Sequence, residues 1–308
     1  MAAELTIGPI AYHWPAERKR DFYARIADEA PVGTVYLGEV ICSKRSPFFE
    51  AEMPDVIERL QRGGKRVVLS TLAEVILPRE RQATVQLCAQ DDFEVEINNV
   101  SGLAARGNRA HRIGPFLNAT NEATIAWMAG QGATHVCLPH ELPRPSLEAA
   151  AHAAQALCVS TEVQVFGRAP LAVSARCYHA RAHGRHKDNC QFVCEDDADG
   201  MPLVTAAGEA FLRINGIQTQ SESYVCLAAE VPAILAMGIT SLRLMPQDVD
   251  MVAVASIFRD LADGKRGAGD ASERLHALCG DVRFSNGFFH KVPGRHHVPV
   301  HAGGVTIQ

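Results

Sequence analysis

Thr34-Val35-Tyr36-Leu37 is a short apolar run, Asp55–Arg62 has helical spacing, and Arg66-Val67-Val68-Leu69-Ser70 is a second apolar run. Strand, helix and strand in that order make one βα unit of a parallel sheet. The same alternation runs outward in both directions. Toward the N-terminus lie a strand at Leu5–Ile10 and a helix at Glu17–Glu29. Toward the C-terminus, strands are predicted at Phe93–Ile97, His111–Leu117, Thr134–Leu138, Glu162–Phe166 and Ser241–Leu244. Helices are predicted at Arg79–Ala89, Glu122–Gln131, Leu147–Leu157, Val231–Met237 and Val249–Leu261. Eight strands with helices between most of them predict an α/β fold, a (β/α)8 TIM-like barrel, whose active sites are built at the C-terminal ends of the strands.

One interval breaks the rhythm. About 75 residues separate the seventh and eighth strands, and an interruption of that length between barrel elements is usually functional. The expected plan is a single barrel domain over 1–282, including the insertion at about 167–240, followed by a loose extension over 283–308.

With 47% hydrophobic and 21% charged residues the 308-residue chain has ordinary globular composition, which excludes a disordered, collagenous or coiled-coil protein. Thirty basic against 35 acidic residues leave a net charge of −5, which argues against nucleic-acid partners and a polybasic membrane surface. No apolar run approaches the roughly 20 residues of a transmembrane helix. Met1-Ala2-Ala3-Glu4 lacks the layout of a signal peptide. A cytoplasmic protein is expected.

Nine cysteines are many for a reducing compartment, where thiols serve as core residues, catalytic groups or metal ligands. Cys88, Cys137, Cys158, Cys226 and Cys279 sit among apolar neighbours and read as buried core. Cys42, Cys177, Cys190 and Cys194 have polar neighbours. The last three form Cys-x12-Cys-x3-Cys, and a helix through Cys190–Cys194 would put both sulfurs on one face. Cys42 follows the second strand and Cys177 the seventh, so a barrel opens both onto its C-terminal face. Four thiolates suit an iron–sulfur cluster or a structural zinc. The lack of a Cys-x2-Cys knuckle weighs against zinc, whereas His179, His183 and His186 add zinc ligands, proton carriers or solvated side chains.

Several segments carry a wider likeness: Gly8-Pro9-Ile10-Ala11-Tyr12-His13-Trp14-Pro15, Tyr36-Leu37-Gly38-Glu39-Val40-Ile41-Cys42-Ser43-Lys44-Arg45, Val68-Leu69-Ser70-Thr71-Leu72-Ala73, Pro170-Leu171-Ala172-Val173-Ser174-Ala175-Arg176-Cys177 and Asn215-Gly216-Ile217-Gln218-Thr219. Together they resemble the collagenase-like U-type peptidase family, and within it the members that serve ubiquinone biosynthesis. The resemblance implies a 4Fe-4S cluster on Cys42, Cys177, Cys190 and Cys194. It also implies a heterodimer with a paralogous subunit, UbiU, and an accessory lipid-binding protein, UbiT. The implied activity is oxygen-independent hydroxylation of a ubiquinone precursor, with prephenate as the hydroxyl source.

Peptidase members carry Glu-x-x-x-His-Gly where this chain reads Glu162-Val163-Gln164-Val165-Phe166-Gly167, and a phenyl ring neither ligates a metal nor transfers a proton. His-Glu-x-x-His, Gly-x-Ser-x-Gly and Walker motifs are missing as well, so no catalytic residue is assigned. Lys44, Arg45, Arg176, Arg181 and Lys187 flank the four cysteines and would balance a negatively charged cluster. Lys44 and Arg45 are the preferred pair for holding an anionic substrate at the barrel mouth. Glu39 ends the second strand and is placed to hydrogen-bond there.

Overall fold

Eight parallel strands close into a ring in the computed structural model, which describes residues 3–301 together with 304 and 305. The first seven are β1 (Glu4–Ile7), β2 (Thr34–Leu37), β3 (Arg66–Ser70), β4 (Glu94–Ile97), β5 (His111–Ile113), β6 (Ala133–Leu138) and β7 (Ser160–Val173). After β7 come three strands of the insertion, β8 (Met201–Val204), β9 (Ala210–Asn215) and β10 (Gln218–Cys226), and then the eighth barrel strand, β11 (Ser241–Leu244). β11 pairs in parallel with both β7 and β1, which shuts the barrel. The expected TIM-type architecture is the observed one.

The helices are α1 (Ala16–Glu29), α2 (Met53–Arg62), α3 (Pro78–Ala89), α4 (Val100–Arg106), α5 (Glu122–Gly130), α6 (Arg144–Ala156), α7 (Tyr178–Ala182), α8 (Val231–Ala236), α9 (Met251–Ala262) and α10 (Ala268–Cys279). They bury apolar faces against the ring. On α9, Val254, Phe258 and Leu261 recur at helical spacing, and Asp250 caps the N-terminus by accepting from the backbone N–H groups of Val252 and Ala253 at 3.1 and 3.2 Å. α4 and α10 escape the sequence reading. α4 is seven residues long and interrupted by Gly102, and α10 opens on Gly267 and Gly269 and offers only Ala271, Leu275 and Cys279 as its buried face. The strand expected over His111–Leu117 stops at Ile113, because Gly114-Pro115 leads into a 3-10 turn and proline has no N–H for the ladder. None of the described helices is long and apolar enough to cross a membrane.

Inside the ring, where barrels of this kind usually stack branched aliphatic side chains, every strand contributes a polar residue to one connected network. Arg243 from β11 bridges the carboxylates of Glu96 on β4, at 2.6 Å, and Glu162 on β7. Glu162 also receives the hydroxyls of Thr6 on β1 and, at 3.0 Å, Tyr36 on β2, and His135 Nε2 on β6 lies 3.2 Å away. Ser70 on β3 donates to Glu96 at 2.7 Å, and Arg112 on β5 donates to the Tyr36 hydroxyl at 3.0 Å. Burial works against ionisation of Glu162, but Arg243 and His135 outweigh it and hold the carboxyl well below its ordinary range.

β7 is much longer than the expected Glu162–Phe166 and leaves the barrel as one continuous strand. Its outer half pairs antiparallel with β10, then β9 and β8, to form a small sheet that carries the insertion. The supposedly loose stretch after 283 is fastened through 298. β12 (Phe284–Ser285) pairs with β10, the Asn286 side chain bonds both backbone groups of Val298 at 2.7 and 2.9 Å, and Glu230 holds Asn286 and His290 at 2.8 Å. Residues 1–2, 302–303 and 306–308, which include part of that extension, lie outside the described residues.

Candidate metal-cluster site at the barrel mouth

The C-terminal end of β2 begins the site. Gly38 sits at φ +128°, and a Cβ there would lie 2.6 Å from the Ser70 carbonyl oxygen, so only glycine permits the close pass of β2 against β3. Glu39 then folds the loop back, because one carboxylate oxygen accepts from the backbone N–H groups of both Ile41 and Cys42 at 2.9 Å. Glu39 therefore shapes the turn that presents Cys42, at the head of a 3-10 helix over Ser43–Phe48.

Arg45 projects inward from that helix. Expected to hold an anionic substrate at the barrel mouth, it is instead 1% exposed and engaged within the chain. Its guanidinium donates to the Ala11 carbonyl at 2.8 Å and to Asn215 Oδ1 at 2.9 Å, and Asn215 Nδ2 donates back to the same carbonyl at 2.8 Å. This explains Asn215-Gly216-Ile217, a segment without derivable chemistry in the sequence. It is the β9–β10 turn, and a Cβ at Gly216, φ +62°, would lie 2.6 Å from Arg45 Nη2. The turn also organises the next cysteine: Ser174 and His179 donate backbone N–H groups to the carbonyls of Ile217 and Gly216 at 2.9 and 3.3 Å. Cys177 lies between them and caps α7, accepting from Ala180 N at 3.4 Å.

Cys177 and Cys190 pack in one cluster with Val40, Ile41 and Ile217, and Cys42 and Phe192 lie against it. Cys194 adjoins Arg45 and Cys177. Cys42, Cys177 and Cys194 thus lie beside one buried guanidinium, and Cys190 packs with Cys177 in the same apolar cluster. The stretch from Cys190 to Cys194 is not a helix that would set both sulfurs on one face; only a 3-10 turn over Val193–Glu195 forms there. Gln191 and Phe192 both adopt left-handed backbone, at φ 48° and 53°, and the Phe192 ring is seated 4.6 Å from Phe48 and 5.6 Å from His13, so tertiary packing overrides helical spacing. Of the five cysteines read as core, Cys88, Cys137, Cys226 and Cys279 are buried. Cys158 is exposed, in a left-handed turn just beyond α6 at φ 56°, where its backbone has already left the helix. His183 and His186 are exposed, whereas His179 is buried with Nε2 2.9 Å from an Asp197 carboxylate oxygen.

The electrostatics suit a negatively charged occupant. Burial opposes the charge of Arg45, but Cys194, Glu39 and Cys42 outweigh it and hold the guanidinium protonated. Its Nε is buried with no acceptor among the described residues. Burial pushes the thiols of Cys42 and Cys177 up, with Arg45 pulling each back, so ligation would release protons. Among the described residues no three His, Cys, Asp or Glu side chains are gathered tightly enough to hold one metal ion. A cubane cluster differs in that each of its four irons takes its own thiolate. Cys42, Cys177 and Cys194 beside a buried cation, with Cys190 packed against Cys177, fit the donor set and charge of that group.

Lys44, the other half of the expected anion-binding pair, donates Nζ to the carbonyls of Lys187 and Asp188 at 2.6 and 3.1 Å and so ties the insertion to the Cys42 loop. The interior network of the barrel was missed in the sequence. Its signal was there, since Thr6, Tyr36, Glu96, Arg112, His135, Glu162 and Arg243 are hydrogen-bonding side chains inside otherwise apolar strands.

Barrel and thiol-bearing insertion together define a TIM-barrel protein with a candidate cluster site over its mouth. The chain belongs to peptidase family U32, whose model matches residues 15–299. Among solved structures it resembles an uncharacterized B. cereus protein at 10% identity and TM-score 0.46, covering 85% of this chain and 65% of that one. It also resembles a phospho-2-dehydro-3-deoxyheptonate aldolase from Thermotoga maritima at 11% identity and TM-score 0.41, covering 92% of this chain and 71% of that one. A class V chitinase from Nicotiana tobaccum follows at 8% identity and TM-score 0.37, covering 90% of this chain and 99% of that one. The chain spans about two thirds of the length of the B. cereus protein.

Proposed function

We propose that this U32 protein holds a 4Fe-4S cluster on Cys42, Cys177, Cys190 and Cys194. In this reading it acts as the ubiquinone-biosynthesis protein UbiV does, paired with UbiU and assisted by UbiT in the oxygen-independent hydroxylation of a ubiquinone precursor, with prephenate as hydroxyl source. The observation that supports the reading is that Cys177 and Cys190 pack together with Cys42 against them, while buried Arg45 lies beside Cys42, Cys177 and Cys194. When bound, such a cluster supplies one-electron redox chemistry. The chain's own residues do the rest: Glu39 fixes the Cys42 backbone, the Asn215-Gly216 turn seats Arg45, and Arg45 would set a fixed positive charge beside the thiolates of Cys42, Cys177 and Cys194. Such second-layer contacts orient ligands and tune potential.

Phe166 speaks against peptidase chemistry. Its ring is fully buried, with Tyr224, Phe258 and Phe284 at 5.6, 6.0 and 6.5 Å between centroids, so the position faces the apolar shell instead of the barrel mouth.

Anaerobic purification tests the reading. About four irons and four sulfides per chain are expected. Replacing any of the four cysteines by Ala should abolish both the iron content and anaerobic quinone synthesis, and Cys88→Ala should spare both. Stoichiometric zinc in place of iron, or full iron in the Cys42→Ala protein, would overturn it.

A further inference from the structure

Beside the thiol patch lie two cavities that share a wall. The first, about 580 Å³, opens at the C-terminal ends of β2 and β3 and is walled mainly by Leu37, Leu69, Leu72, Ala83, Leu87 and Phe192. Its carboxylates are already used: Glu80 accepts from Ser43 at 2.6 Å and from the N–H groups of Ile76 and Leu77 at 2.9 Å, and Glu39 holds the Cys42 turn. The second, about 710 Å³, is lined by Lys44, Arg79, Arg176, Arg181, Arg185 and Lys187, with Asp188 as its only carboxylate. Lys44 and Arg79 line both cavities.

Cations outnumber carboxylates six to one in the lining of the second cavity. Among the described residues none of its six cations makes an ion pair, whereas arginines such as Arg112, Arg168, Arg213 and Arg266 each hold a carboxylate. Lys44 and Arg185 donate only to backbone carbonyls. Arg79, Arg176 and Arg181 are exposed. Six like charges around one cleft, in a chain of net charge −5, repel one another until an anion enters. An apolar pocket of several hundred Å³ with a few polar groups at one end is the usual form of a small-molecule site.

We propose that the two adjoining cavities together bind an anionic amphiphile, a molecule that passes Lys44 and Arg79 with an acidic head seated among the six cations and an apolar or aromatic body lying against β2, β3 and α3. The inference goes beyond the cluster reading and stands without it. The head sits near Cys177, which lines the cationic cleft, and the body reaches the Ser43–Pro47 wall that follows Cys42.

Equilibrium dialysis of the anaerobically purified full chain tests this, with 2-naphthoate as the anionic probe. Its methyl ester serves as the neutral counterpart and inorganic phosphate as the head alone. Naphthoate should bind at least tenfold tighter than either. Arg176→Glu combined with Arg181→Glu, both confined to the cationic cavity, should weaken naphthoate at least tenfold and leave the ester unchanged. Ala83→Leu, at an exposed position of α3, should weaken both. Co-sedimentation with dioleoylphosphatidylglycerol vesicles that Ala83→Leu abolishes would assign the ligand to lipid, and absence of co-sedimentation with naphthoate binding kept would assign it to a soluble acid. The proposal is overturned by equal binding of acid and ester, by variants that leave naphthoate binding intact, or by a uridine 12-mer that binds tighter than naphthoate and displaces it irrespective of Ala83→Leu. Iron is counted on the same samples. Probe binding lost with iron present sinks only this proposal, and iron absent with probe binding present sinks only the cluster reading.

Discussion

Arg45→Met replaces a buried guanidinium by a neutral side chain of similar reach. It removes the bonds to Ala11 O at 2.8 Å and Asn215 Oδ1 at 2.9 Å. Hydrogen bonds to a charged group contribute about 1.5–3 kcal/mol each. Two of them set the gross loss, and the recovered apolar contact of methionine and the relief of burying a charge offset part of it. A net loss of about 2–4 kcal/mol is expected, which at a urea dependence of about 3 kcal/mol per molar moves the midpoint down by about 1 M. The assay is anaerobic urea unfolding followed by circular dichroism, with iron per chain measured on the same preparation. Because the removed charge faces Cys194 and Cys42, iron should fall with stability. A midpoint within about 0.2 M of the parent together with full iron would refute the idea that Arg45 holds the hairpin turn and the thiol patch together.

Glu162→Gln leaves Arg243 with one of its two carboxylates and should cost about 3–5 kcal/mol in urea unfolding at pH 7. Since the folded carboxyl is held below its ordinary range, this contribution is complete above about pH 4.5 and fades as pH falls below it, so the gap between parent and variant should narrow in acid. His140 behaves oppositely in origin: burial lowers it to about 4, so folding favours the neutral ring and stability is lost as pH falls from about 6.5 toward 4. The parent should lose about 2 kcal/mol more than His140→Phe between pH 7 and pH 5, and parallel curves would contradict this. Phe166→His puts a polar ring into an aromatic cluster, and it should cost about 2–4 kcal/mol without conferring cleavage of gelatin, which a zymogram reads directly.

The barrel was legible because each βα unit announces itself locally: Thr34–Leu37 and Arg66–Ser70 are apolar runs bounded by polar turns, and both fall where the structure has strands. The polar context of Cys42, Cys177, Cys190 and Cys194 was legible in the same way. What was hidden depends on partners remote in sequence. Arg45 reads as the anion-holding partner of Lys44 until Ala11 and Asn215, 34 and 170 residues away, close over it. Cys190–Cys194 has helical spacing, but a phenylalanine wedged against Phe48 bends the chain another way. Glu162 and Arg243 look like strand-end polar residues, and only closure of the ring, 81 residues apart, makes them neighbours. Local pattern thus carries the elements, and long-range charge pairing decides the interior.

β7 and β10 leave and re-enter the barrel side by side, paired from Phe166 with Cys226 out to Val173 with Gln218. The excursion that bears Cys177, Cys190 and Cys194 is therefore carried on a two-stranded stalk, with Arg45, Lys44, Trp14 and Arg168 fastening it to the barrel. A chain shortened by joining Val173 to Gln218 through a two-residue hairpin turn would keep every barrel strand in register. An excursion carried this way can change in length and content while the strand order of the vessel beneath it stays the same.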